Sequence, residues 1–179
     1  MRCFGDGDPL YEKYHDEEWG IPVHDDKTLF EFLILEGAQA GLSWTTILKR
    51  RHGYKKAFAN FDANKIIKFT QKDVEKLMKD PGIIRNRLKI ESTIQNAKAF
   101  LEIQKEHGTF DKYLWKFVNG KTIRNKVKKG KWQATSPESD KLSKDLKKRG
   151  FKFVGSTIIY AYMQAIGMVN DHCDECWKS

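Results

Sequence analysis

Apolar residues in this sequence recur mostly three and four positions apart, and runs that alternate β-branched with polar residues are missing. Side chains at that spacing line one face of an α-helix, whereas a half-buried strand needs a period of two. The pattern predicts an all-α fold. Leu29, Phe30, Phe32, Leu33 and Ile34 mark a helix capped by Asp25 or Asp26, and Gly41-Leu42-Ser43 closes it ahead of a second helix from Trp44 towards Arg51. Asp62 and Thr70 can cap two short helices, the second with Asp73 in a capping box where Asp replaces Glu. Ser136-Pro137 starts another helix that Gly150 ends, and residues 157–169, apolar on most sides, predict a helix central to the core. The polar, basic stretch 119–137 reads as a long surface loop.

A chain of 179 residues with 40% hydrophobic content can bury one core, and no repeat or linker divides it, so one domain over residues 1–179 is expected. Its 5 Trp, 6 Tyr and 11 Phe exclude a disordered chain. No run approaches the roughly 20 apolar residues that span a bilayer, and residues 1–20 are acidic without an apolar signal region, which argues against membrane insertion and secretion. Cys3, Cys173 and Cys176 are too few for a disulfide framework, so a reduced, cytoplasmic protein is expected.

The net charge of +9 is unevenly spread: residues 1–40 carry 3 basic against 10 acidic side chains, and residues 121–152 carry 12 against 3. A basic middle is the footprint of a polyanion binder, because neutralised phosphates release condensed counterions. A solvated lysine-rich surface has the same composition.

Between a helix ending near Lys79 and one starting near Ile84, Asp80-Pro81-Gly82-Ile83 reads as the turn of a helix-hairpin-helix over residues 71–100. Gly82 permits a positive φ, leaving backbone amides free to hold a phosphate, with Arg85, Arg87 and Lys89 beside it. An ordinary helical hairpin would look alike.

Cys3 and His15 near one end and His172, Cys173 and Cys176 near the other supply soft donors suited to zinc. His172 and Cys176 would share one face of a helical turn, whereas Cys173 and Cys176 form a CxxC pair, and either pair could complete a closed structural site.

Glu36 falls in the stripe formed by Leu29, Phe32, Leu33 and Ala40. A carboxylate drawn into a core must find a partner, take up a proton or line a cavity. With Tyr14, Trp19 and Trp44 available, an acid among flat rings fits a planar cationic ligand, although one such aromatic taken alone, as with Trp44, is more often a core residue.

The runs Asp8-Pro9-Leu10-Tyr11, Tyr14-His15-Asp16, Glu18-Trp19-Gly20 and Leu35-Glu36-Gly37 through Gly41-Leu42-Ser43-Trp44 resemble the type I 3-methyladenine DNA glycosylase family. So do Gly82-Ile83-Ile84-Arg85, residues 148–155, and Val169-Asn170-Asp171-His172, in family order over nearly the whole chain. The resemblance implies the helix-hairpin-helix glycosylase fold, one structural zinc ion per chain, and excision of 3-methyladenine from alkylated double-stranded DNA by a monomer. It implies Cys3, His15, His172 and Cys176 as zinc ligands, with Cys173 a bystander. It places Glu36 against the excised base, Trp44 stacked on it and Tyr14 lining the pocket. Gly41 and Leu42 would fill the gap left by the extruded nucleotide, while Gly82 and Arg85 contact the backbone. Where family members often carry Trp after the first cysteine, this chain has Cys3-Phe4-Gly5-Asp6-Gly7, which assigns Phe4 to the second aromatic wall. For Glu36, the roles of general base, electrostatic stabiliser and recognition group all remain open, recognition being favoured. The lysine nucleophile of bifunctional glycosylases is lacking, so an abasic site without strand cleavage is expected.

Overall fold

The structure, a computed structural model, describes residues 1–179. Helix α1 (Pro9–Glu17) opens on Asp8, whose side chain accepts from the amides of Leu10 and Tyr11, and has proline in its first turn. Helix α2 (Asp26–Gln39) is capped by Asp25. Asp26, the alternative cap, instead accepts from the amides of Phe110 and Asp111 and from Gln104, and so ties α2 to the start of α7 (Phe110–Trp115). Ser43 caps α3 (Trp44–Ala57), which runs well past Arg51. Two short helices follow, α4 (Ala63–Ile66) and α5 (Gln71–Leu77), with Asp62 and the expected Thr70/Asp73 box at their starts.

The hairpin opens wider than its sequence suggests. After α5 the chain turns through Pro81 and Gly82 and enters α6 (Arg87–His107) only at Asn86, whose carboxamide caps the amide of Lys89. Gly82 is not in the left-handed region, and its amide donates to Asp80 Oδ1 at 2.7 Å, so that N–H is occupied. The glycines answer a close approach instead: a Cβ on Gly53, in the middle of α3, would lie 2.1 Å from the Gly82 carbonyl oxygen. The hairpin is thereby seated on α3, and Tyr54 adds a contact by accepting from the Ile84 amide.

Helix α8 (Pro137–Lys148) starts at Ser136 as expected, and Gly150 (φ +91°) follows its end. Helix α9 (Ser156–Ala165) stops short of the predicted residue 169, because Gly167 (φ +72°) turns the chain where a side chain would strike the backbone of Ile21 and Pro22. Beyond it β2 (Val169–Asn170) pairs in parallel with β1 (Ile123–Arg124), and Val127 bridges to Cys173. The stretch 119–137 is therefore not simply a surface loop, and the fold is predominantly helical rather than purely so.

A cluster of 45 buried residues holds these elements together. Every residue from Leu29 to Ala38 is buried, so α2 is covered on all sides and not along one stripe. It packs on α9, α3 and α6 and carries two glutamates, Glu31 and Glu36, into the interior.

Candidate active site and metal cluster

The two buried glutamates of α2 have opposite fates. Glu31 is neutralised by Arg51, whose Nε lies 2.6 Å away, and by Lys55 at 3.4 Å. Glu36, 4% exposed, has no ion pair or hydrogen bond in the protein, and burial pushes its carboxyl up to about 8. It lines a cavity of about 290 Å³ together with Phe4, Tyr11, Tyr14, Trp19 and Trp44. The rings brace one another: Phe4 stands 4.7 Å from Tyr11 and 4.9 Å from Trp19, and Tyr14 stands 5.4 Å from Trp44 at 52°. Helix α1 supplies Tyr11 and Tyr14, the end of α2 supplies Glu36, and the first residue of α3 supplies Trp44.

Hydrogen-bonding capacity in the cavity is unspent. The indole N–H of Trp44 is buried without a partner, and neither the Tyr14 hydroxyl nor the Glu36 carboxyl makes a hydrogen bond within the protein. Buried polar groups normally find partners, so a cavity that gathers free ones among aromatic faces is built for a ligand.

The sequence reading brought Glu36, Tyr14, Trp44 and Phe4 to one place, and the structure assembles them there. It missed Tyr11, Trp132, Ala161 and Gln164, which also line the cavity. Trp132 comes from the supposed surface loop and donates to the backbone oxygen of Asp171 at 3.0 Å. A tryptophan in an otherwise polar, basic stretch was the available signal.

Next to this cavity lies a hollow of about 490 Å³ bounded by Gly41, Leu42, Ser43, Thr157 and Ile158, and the two share Gln39 and Ala161 as walls. Gly41 (φ +78°) makes the turn that leaves Leu42 39% exposed. Lys89, expected beside a phosphate, turns inward and caps the end of α2 through the carbonyls of Ala38 and Ala40 at 2.8 and 2.7 Å. Arg87 pairs with Glu75 and Glu91. Of the three cations near the hairpin, only Arg85 is exposed and without a salt bridge, and the amides of Ile83 and Arg85 form no hydrogen bond.

At the far side of Trp19, donor atoms of Cys3, His15 and Cys176 lie within 4.8 Å of one another, all buried, in a cluster that could hold a metal ion. Asp16 engages Nδ1 of His15 at 2.8 Å, and Nε2 of that ring accepts from the Cys3 amide at 3.3 Å and lies 3.5 Å from Cys176 Sγ. Asn170 Oδ1 engages His172 Nδ1 at 2.8 Å and leaves its Nε2 for another partner. His172 Nε2 is buried and has none, and burial lowers its imidazole to about 4. Residues 172–176 hold a bridge at Cys173 and a turn at 174–175, so of the two arrangements left open the shared helical face does not form, and the Cys176 amide donates to the Cys173 carbonyl. Cys173 does not simply stand aside, since its Sγ lies 3.4 Å from Cys3 Sγ.

Fold and site together define a helical protein with an aromatic-walled cavity that encloses one unpaired acid. Residues 4–179 match the family described as methyladenine glycosylase. DNA-3-methyladenine glycosylase 1 of Escherichia coli is 49% identical over 170 residues, covering 94% of this chain and 91% of that protein. A crystal structure of 3-methyladenine DNA glycosylase I superposes with a TM-score of 0.96 at 47% identity over 99% of this chain and 98% of that one. A single-residue variant of such an enzyme, in complex with 3-methyladenine, gives 0.95 at 38% identity over 98% of this chain and 95% of that one. The chain belongs to the methyladenine glycosylase family.

Proposed function

We propose that this chain is a DNA glycosylase that flips 3-methyladenine out of double-stranded DNA and hydrolyses its N-glycosidic bond. The observation that carries the reading is the unpaired, buried Glu36 among unspent polar groups and aromatic faces. N3 methylation makes the base cationic and already a good leaving group, so selection matters more than brute acceleration. Cation–π attraction favours the charged base over neutral adenine. Arrival of that charge draws Glu36 into its carboxylate form, which accepts from the base's polar edge. Trp44 stacks on the ring, and Tyr14 and Phe4 complete the walls. Leu42, standing exposed beside the cavity, fills the gap the base leaves, and Gly41 gives its turn the room.

On the DNA side, the hairpin over residues 71–100 serves as a helix-hairpin-helix. Arg85 and the free amides of Ile83 and Arg85 hold phosphate oxygens, while Gly82 shapes the turn. As the bond breaks, positive charge passes to the sugar and water attacks, leaving free base and an abasic site. The cavity lining contains no lysine, which supports hydrolysis without a Schiff base and without strand cleavage. Cys3, His15, His172 and Cys176 would hold one zinc ion, His172 Nε2 being the fourth donor. A closed four-ligand zinc holds the fold together and leaves no position for water. We read residues 1–179 as one domain acting as a monomer in the cytoplasm.

Incubation with methylated DNA should release 3-methyladenine and leave strands that break only on later heating or alkali. Release of no 3-methyladenine, or immediate strand scission, would overturn the reading.

A further inference from the structure

Lys121, Arg124, Lys126, Lys128, Lys129 and Lys131 are all exposed, and no carboxylate forms a salt bridge with any of them. Six like charges in eleven residues repel one another, yet their segment is fastened down. Its β1 strand pairs with β2, and Val127, 7% exposed, is turned in against Cys173 while Lys126 and Lys128 are turned out. A turn closed from the Lys131 amide to the Lys128 carbonyl, with Gly130 at φ +77°, presents Lys129 at its tip. Beyond the turn, Trp132 is a wall of the base cavity and Gln133 donates to the Tyr160 hydroxyl at 2.7 Å. A fixed row of uncompensated cations thus leads directly to the rim of the cavity.

A base can enter that cavity only if its own sugar and flanking phosphates come to the rim. We propose that residues 121–132 form a second DNA-contacting element, separate from the hairpin, in which the lysines hold the phosphates next to the extruded nucleotide. This rests on the reading of the cavity as the site of a flipped base. Ordering the cations beforehand lets each phosphate they meet release counterions without further folding of the segment, so the element acts through charge and not through sequence.

The test is a salt titration of affinity for a duplex carrying a stable abasic-site analogue. It compares the parent with a variant bearing Lys126→Gln, Lys128→Gln, Lys129→Gln and Lys131→Gln, with thermal melting to establish that the variant is folded. Each lost phosphate contact should reduce the slope of log K against log salt by about 0.9. Two or more lost contacts, with affinity at least tenfold weaker near 0.1 M salt and binding of free 3-methyladenine unchanged, are expected. An unchanged slope in a folded variant would overturn the proposal. Failure of the parent to bind or release 3-methyladenine would strike the reading of the cavity instead, because the difference in salt slope between parent and variant reports on the lysines alone.

Discussion

Glu36 stands apart because α2 gives it neither a cation nor a hydrogen bond, while Glu31, five residues earlier, has Arg51 and Lys55. Its folded value of about 8 exceeds the 4.5 of an ordinary glutamic acid. The acid form is therefore favoured by folding: its contribution is full below about 4.5 and is lost as pH rises through about 8. Between those limits the parent should lose thermal stability relative to a Glu36→Gln variant, which melting curves across that range will check. Activity should run the other way. kcat/KM reports the free protein, so it should climb until about 8 and level off, and the profile of Glu36→Gln should lack that rise. Trp132 provides a second test at this scale. Trp132→Ala removes one wall of the cavity, and binding of free 3-methyladenine should weaken by the roughly 1–3 kcal/mol that base–aromatic stacking supplies, read by calorimetric titration. Glu36 was legible in the sequence because a carboxylate in an apolar run is conspicuous, whereas Trp132 reaches the cavity only through β1 and the Val127 bridge, long-range pairings that no local pattern encodes.

Among the elements, the helices were readable from spacing and caps, since Asp62, Thr70 and Ser136 cap where the sequence placed them and, of the two candidates, Asp25 caps α2. What local pattern could not supply was the reason for a glycine. Gly82 looked like a left-handed turn residue, yet its work is to let α3 come close, and Gly53 is the partner that makes this possible. Gly53→Ala would raise helix propensity but drive a methyl into the Gly82 carbonyl, so it should destabilise the fold by about 1–3 kcal/mol. Chemical denaturation measures that, and a variant as stable as the parent would mean that the hairpin is not seated as described. Lys89 shows the same limit: its charge suggested phosphate, and its burial against the last carbonyls of α2 makes it a fastening for the turn that presents Leu42.

Over the whole molecule, charge and the proposed metal divide the work. The acidic first segment brings Tyr14 and Cys3, the last segment brings His172 and Cys176, and the proposed zinc clasps them behind the aromatic wall, with Trp19 packed 4.7 Å from His172. Chelation should lower the melting temperature, and elemental analysis should find about one zinc per chain. Cys176→Ser should cost more metal and stability than Cys173→Ser, because metal binding contributes directly to folding. In the proposed function this clasped cavity excises a cationic base through Glu36. Single-turnover release of 3-methyladenine from a duplex with one such lesion, parent against Glu36→Gln, tests it most directly. Rapid release by the parent and at least tenfold slower release by the folded variant are predicted, and equal rates, or no release by the parent, would contradict it.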